Sequence, residues 1–143
     1  MLPAIRPARD TDWDAIAALL TASSLPTDAE GMLSHFLVAE RDGRLVGCAC
    51  VEPYGATGLL RSVAVAATER GTGLGRALTE RCIARARDEG QSDLVLLTTT
   101  AADFFAHLGF VRIDRAAAPA SVQQSSQFCG GCCASATAMQ LML

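Results

Sequence analysis

The residues best suited to chemistry lie in the stretch Arg70-Gly71-Thr72-Gly73-Leu74-Gly75-Arg76, where glycines alternate with side chains just ahead of an amphipathic run. Glycines there let backbone amides approach a ligand with no Cβ in the way, and the first turn of a helix leaves N–H groups without intrahelical partners. Such a loop suits an anion, above all a pyrophosphate. Spacing removes two familiar versions. A Walker loop needs a lysine, and the chain has none; a G-x-G-x-x-G dinucleotide fingerprint needs a small residue where Arg76 stands. What remains is R-x-x-G-x-G, opened by Arg70.

A second clue is Arg61, a lone cation in an otherwise apolar strand. Burying an unpaired guanidinium is costly, so Arg61 is expected to meet either a protein carboxylate or an anion on the substrate. Thr98, Thr99 and Thr100 follow a short apolar run, where their hydroxyls can reach a ligand, or where Thr100 can cap the next helix. Cys129, Cys132 and Cys133 cluster around Gly130-Gly131. Three thiolates suit a soft metal or trivalent arsenic, although a structural zinc wants four ligands and no second pair has matching spacing. Cys48, Cys50 and Cys82 fall on apolar faces and read as small core residues. His35 reads as a strand start and His107 as solvent-facing.

Elements that would position these groups are legible. Leu59 to Ala66 reads as a buried strand, and Leu74, Leu78 and Cys82 mark the buried stripe of a helix that should stop at the C′ glycine Gly90. Asp42-Gly43 between two apolar runs signals a type I′ hairpin. Asp10 or Thr11 is expected to cap the helix carrying Trp13, Ile16, Leu19 and Leu20. Leu94 to Leu97 reads as a short buried strand, Ala116 to Gln127 as a loop or short helix, and Thr137 to Leu143 as a last strand whose apolar character would also suit a dimer contact.

Composition is that of one domain spanning residues 1–143, half of it hydrophobic. Twelve basic against fifteen acidic residues, a net charge of -3, and no basic block argue against nucleic acid as a partner. Without a signal-peptide layout or an apolar run near the roughly 20 residues of a membrane span, a cytoplasmic protein with reduced thiols is expected.

The glycine loop, with Ala101-Ala102-Asp103-Phe104-Phe105-Ala106-His107-Leu108-Gly109-Phe110 downstream, resembles the GCN5-related N-acetyltransferase (GNAT) superfamily, whose corresponding signature is FYxxxGF. That resemblance covers the whole chain, from Ile5-Arg6-Pro7-Ala8 onward. It implies an α/β (α+β) fold with a mixed, mainly antiparallel central sheet, helices on both faces, and acetyl-coenzyme A as co-substrate. It places the pyrophosphate on Arg70, Gly71, Thr72, Gly73, Leu74, Gly75 and Arg76, and the pantetheine on Val63, Ala64 and Val65. Thr98, Phe104 and Phe105 would also contact the cofactor. The family's general acid is the tyrosine of its signature, here Phe105, so either Tyr54 substitutes or the thiolate leaves unprotonated. Glu52, at the end of the third strand, lies close to where the family places acceptor contacts. It would take a proton through water, or else be an exposed strand-end carboxylate. Leu60-Arg61-Ser62-Val63-Ala64-Val65 and the cysteine tail resemble the arsenic-resistance-associated N-acetyltransferases, related to N-acetylglutamate synthases. An amino-acid-like acceptor held by Arg61, Ser62 and Thr99 follows from that branch, with a direct ternary-complex mechanism, no metal, and a monomer or homodimer. The alternative is an arsenite- or soft-metal-binding protein using Cys129, Cys132 and Cys133.

Overall fold

The computed structural model describes residues 2–125, 128 and 136–143. Among them run seven strands, β1 (Ala4–Pro7), β2 (Phe36–Arg41), β3 (Arg44–Tyr54), β4 (Thr57–Val65), β5 (Asp93–Thr98), β6 (Val111–Ile113) and β7 (Thr137–Met142). Four helices accompany them: α1 (Trp13–Ala22), α2 (Leu74–Asp88), α3 (Ala102–His107) and α4 (Ala120–Gln123). Hydrogen bonding orders the strands β1-β2-β3-β4-β5-β7-β6. The β4–β5 ladder is parallel, while β1–β2, β2–β3, β5–β7 and β6–β7 are antiparallel, giving the mixed, mainly antiparallel sheet expected. Packing divides the chain into two units, Met1–Val51 with Ser62–Cys82, and Glu52–Arg61 with Ile83–Leu143.

In the first unit the β2–β3 hairpin turns at Asp42 and Gly43, with φ of +53° and +78°. Both central residues are left-handed, as a type I′ turn demands. The helix α1 buries Ile16, Leu19 and Leu20 against Phe36, Val38, Cys48 and Cys50. Each large apolar side chain buried there contributes about 1.5–3 kcal/mol. Its start differs from expectation: neither Asp10 nor Thr11 caps it. A 3-10 turn over Asp10–Asp12 precedes the helix, and the Asp12 carboxylate accepts the Arg9 N–H at 2.7 Å. Asp12 also takes Arg6 at 2.8 Å, which holds its carboxyl below the usual range, helped by the Arg9 amide and opposed by burial. His35 likewise ends a 3-10 turn, Glu30–His35, instead of opening β2.

In the second unit the parallel ladder lasts three pairs, Thr57 with Asp93, Gly58 with Leu94 and Leu59 with Val95, although β5 runs on to Thr98. At its start sits a buried carboxylate, Asp93, which accepts the Thr57 hydroxyl at 2.6 Å and the Gln140 amide at 2.6 Å. Both oxygens are satisfied, so the burial is tolerated. Strand β7 lies between β5 and β6, completing the sheet as expected, whereas the three-residue β6 was too short to show a period. The weakly patterned stretch after it forms a 3-10 turn, Arg115–Ala117, and α4. Leu59, Val95, Ala118 and Val122 make the core here, with Tyr54, Ile113 and Phe128 packed on its edge.

Candidate active site

In the first unit the loop ahead of α2 takes its shape from two glycines. Gly71 and Gly73 have φ of +81° and +88°, while Gly75 is already inside the helix. A Cβ at Gly71 or Gly73 would meet nothing within 4 Å, so it is backbone conformation that requires glycine. The first backbone bond of α2 runs from the Ala77 N–H to the Gly73 carbonyl at 3.0 Å, which leaves the preceding amides at an exposed helix start. Thr72 is exposed at the rim of the loop. Its hydroxyl donates to the Glu69 carbonyl at 2.5 Å. Glu69 is itself buried and accepts Arg41 at 2.8 and 3.2 Å, so the loop is tied at its root. Arg70 and Arg76 are exposed, and Arg76 stands 3.6 Å from Glu80 one turn along.

Strand β4 supplies the other part of this unit. Just past its end the Ala66 N–H donates to the Val46 carbonyl on β3 at 2.8 Å, and the Ala64 N–H bonds the Cys48 sulfur, also on β3. Successive amides of a strand point to opposite edges, so the Val65 N–H faces away from β3. Val63 and Val65 are half-buried while Ala64 is buried. Ser62, just before them, has a φ of +60°, a left-handed conformation that a non-glycine residue rarely adopts inside a strand.

In the second unit three residues singled out in the sequence come together. The Arg61 side chain is 1% exposed, and its Nη1 lies 3.6 Å from Oε1 of Glu52, whose side chain is 16% exposed. Arg61 thus meets a protein carboxylate. Glu52 is not an exposed strand-end group, because β3 continues two residues beyond it and its Oε1 is buried with no hydrogen-bond partner among the described residues. At 3.6 Å this Nη1–Oε1 approach is an ion pair longer than a hydrogen bond. The Tyr54 hydroxyl donates to Glu52 and receives a bond from Ser125. Burial foremost, then the bond to Glu52, pushes this phenol up to about 12. Ser125 was not foreseen: it is 2% exposed, in the stretch that carried no pattern, and it also accepts the Phe128 N–H at 3.3 Å.

The remaining candidates separate into caps and surface. Thr98, not Thr100, takes the Ala101 amide at the start of α3, at 3.0 Å, and Thr99 and Thr100 are exposed. Phe105 is 7% exposed, edge-on to Phe104 and to Phe110. The end of α3 explains its signature. Gly109 has φ of +101°, the Gly109 N–H bonds the Ala106 carbonyl at 3.1 Å, and the Phe110 N–H bonds the Phe105 carbonyl at 3.1 Å. These are the two bonds of a Schellman motif, and the Phe105–Phe110 contact is its hydrophobic partner. His107 is exposed and bonded to the Asp103 carbonyl, as a solvent-facing residue should be. Cys48, Cys50 and Cys82 are buried thiols. Cys129, Cys132 and Cys133 lie outside the described residues, and among the described residues no group of three metal-ligating side chains forms. No described helix is long and apolar enough to cross a membrane.

A left-handed glycine loop before a helix, a short parallel ladder and a Schellman-capped closing helix all fall within residues 33–112, the span that matches the family model described as Acetyltransferase (GNAT) domain. The chain belongs to the GNAT acetyltransferases. This GNAT domain has the same fold as a Mycobacterium tuberculosis protein solved with CoA and a ligand designated NLQ, at 26% identity and a TM-score of 0.85, over 99% of each chain. It is equally similar to the N-acetylglutamate synthase of Neisseria gonorrhoeae, solved with coenzyme A and N-acetyl-glutamate: 26% identity, TM-score 0.85, all of this chain but 35% of that one. Over 81 residues the GNAT domain is 38% identical to the amino-acid acetyltransferase of Ralstonia nicotianae, a stretch that is 55% of this chain and 18% of that protein. It therefore corresponds to a minor part of those longer relatives.

Proposed function

We propose that this domain transfers the acetyl group of acetyl-coenzyme A to the amine of a small amino-acid-like acceptor. The observation that carries the proposal is the loop at Gly71–Arg76, left-handed at two glycines and opening onto the start of α2. Its amides would hold the pyrophosphate, with Arg70 and Arg76 adding charge at the exposed rim. The backbone of Val63, Ala64 and Val65 would align the pantetheine arm, and an outward amide such as that of Val65 would donate to the thioester oxygen as negative charge develops there. Thr98, Phe104 and Phe105 contribute by shaping the start and end of α3.

Attack requires a neutral amine. Glu52, whose Oε1 has no hydrogen-bond partner among the described residues, is the group that would accept the acceptor's proton, directly or through water. Tyr54 donates to Glu52, so its role in this reading is to orient that carboxylate. Phe105 carries no proton to give, and Tyr54 is the chain's one tyrosine. The coenzyme A thiolate would leave unprotonated, which a thiol pKa of about 8.5 permits. Arg61, with Ser62 and Thr99, would receive the acceptor's carboxylate, a role supported by a buried cation beside a potential base. Direct transfer from coenzyme A to the amine in one ternary complex belongs to this reading. The N-acetyl-glutamate bound to the similar Neisseria gonorrhoeae enzyme supports an amino-acid acceptor.

The test is a screen of amino acids by release of the coenzyme A thiol, with glutamate, glutamine and arsenic-containing amino acids included. Release with at least one α-amino acid is expected. Turnover of an arsenical would place the domain in arsenic resistance, and the absence of release with every amine would overturn the proposal.

A further inference from the structure

Glu69 stands immediately before the glycine loop and is bonded to it through its backbone. Its carbonyl accepts the Thr72 hydroxyl at 2.5 Å and the Thr72 N–H at 3.3 Å, while its own N–H donates to the Ala66 carbonyl at 2.9 Å. The Glu69 side chain is 7% exposed, and each carboxylate oxygen takes one nitrogen of Arg41, Oε2 from Nε at 2.8 Å and Oε1 from Nη2 at 3.2 Å. A carboxylate held that far from water needs a cation in good geometry, and the guanidinium fork supplies it. The β2–β3 hairpin directs Arg41 there. Alternation puts Arg41 on the same face of β2 as Ala39, which pairs with Gly47, and Gly47 lies against Leu74 and Leu78 of α2. The register then shifts between Ala39 and Glu40, so that Val46 is the extra residue of a bulge, and the Val46 carbonyl accepts the Ala66 N–H at 2.8 Å. The hairpin thus grips the segment ahead of the loop at two points, Ala66 and Glu69.

We infer that Arg41 and Glu69 are a pair of positioning residues for the pyrophosphate: from the β2–β3 hairpin they hold the glycine loop in place without touching the ligand. The inference rests on the acetyl-coenzyme A reading for its consequence, though not for the contact itself. Backbone amides bind an anion well when their directions are fixed before it arrives, and glycines at positions 71 and 73 leave that restraint to neighbouring groups. The cation also has an electrostatic effect. Without Arg41, the Glu69 carboxylate would be an uncompensated negative charge next to Arg70, drawn toward water and repelling a diphosphate.

Arg41→Met, Arg41→Lys and the double variant Arg41→Met with Glu69→Gln are compared with the wild type by hydrogen exchange without ligand, by calorimetry with acetyl-coenzyme A, and by thiol release. Arg41→Met should exchange the Thr72 amide about tenfold faster and bind acetyl-coenzyme A about tenfold more weakly, the scale of one charge-assisted hydrogen bond. Exchange of the Leu25 amide, bonded to the Leu20 carbonyl at the end of α1 in the same unit, should not change. The KM for acetyl-coenzyme A should rise, while kcat and the KM for the acceptor should hardly move. Adding Glu69→Gln should recover most of the affinity, because an amide strands no charge. Arg41→Lys keeps the cation but lacks the fork, so it should bind about threefold more weakly, and it covers the case in which Arg41→Met does not fold. Wild-type affinity in Arg41→Met, or in Arg41→Lys where that variant alone folds, would overturn the inference. So would a double variant as weak as Arg41→Met, which would make Arg41 a direct phosphate contact, or Leu25 exchange accelerated as much as Thr72, which would make the pair a general brace of the fold. If the wild type itself fails to bind acetyl-coenzyme A, the proposed function falls, and exchange at Thr72 still decides whether the pair holds the loop.

Discussion

The two units handle polar groups in opposite ways. In the first, the candidate groups are backbone amides at Gly71–Arg76 and along β4, given direction by positive φ at Gly71, Gly73 and Ser62. In the second they are side chains, with the buried Arg61 and Ser125 and the half-buried Glu52 and Tyr54 drawn into one cluster. Backbone amides suit a ligand common to a whole family, because their positions are set by dihedral angles and not by which side chain is present. Side chains suit the partner that varies. Each unit also holds a weak acid raised to about 12, the buried Cys48 in the first and the half-buried Tyr54 in the second, and in both the largest cause is loss of solvent.

The largest effect should come from breaking the backbone half alone. Gly73→Glu forces a side chain onto φ of +88° and puts negative charge where a pyrophosphate would sit. Acetyl-coenzyme A affinity by calorimetry should fall beyond about 100-fold, roughly 2.7 kcal/mol. The Tyr54 absorbance titration should stay as in the wild type. Unchanged affinity would dissolve the contrast.

Breaking the side-chain half should show as stability. Arg61→Leu leaves the Glu52 carboxylate largely buried without its cation, at a cost of about 3 kcal/mol in denaturant unfolding. Adding Glu52→Leu should return a large part of that loss, since the pair as a whole has been taken from water. A double variant weaker than the single one would mean that Glu52 and Arg61 do not act as a pair.

A subtler distinction lies in alkaline solution. Both acids hold their protons more tightly in the folded than in the unfolded chain, so the stability they contribute is intact below the unfolded values of 9.0 for Cys48 and 10.0 for Tyr54. It is lost as pH rises toward about 12. The chain has no lysine and only one tyrosine, which makes its phenolate absorbance unambiguous. Tyr54→Phe should flatten the decline above pH 10.0 and leave the share that begins at 9.0, while Cys48→Val should do the converse.

Legibility in the sequence divides along the same line. Gly71, Gly73, Gly90, Gly109 and Asp42-Gly43 announce themselves, because glycine relieves a steric restriction that the primary structure alone predicts. The core cysteines and the strand at Leu94–Leu97 were equally readable from periodicity. Ser62 was not, since serine gives no sign of a left-handed φ. Ser125 was hidden in a stretch without period, and nothing in the primary structure marks Asp93 as the buried carboxylate on which Thr57 and Gln140 close. Within the threonine run, composition could not distinguish Thr98, which takes the helix amide, from Thr100. The signature phenylalanines were readable as a motif, but their geometry makes Phe105 the apolar lock of a helix cap.

The most direct test of this division is to vary the acceptor while holding acetyl-coenzyme A constant. Thiol release should be measured for an active amino acid and for its decarboxylated amine, in the wild type and in Arg61→Leu. The account predicts that the wild type prefers the amino acid by at least about tenfold in kcat/KM, roughly 1.4 kcal/mol for one charge-assisted contact. Arg61→Leu should lose that preference with its KM for acetyl-coenzyme A unchanged. An undiminished preference for the carboxylate in Arg61→Leu would contradict it.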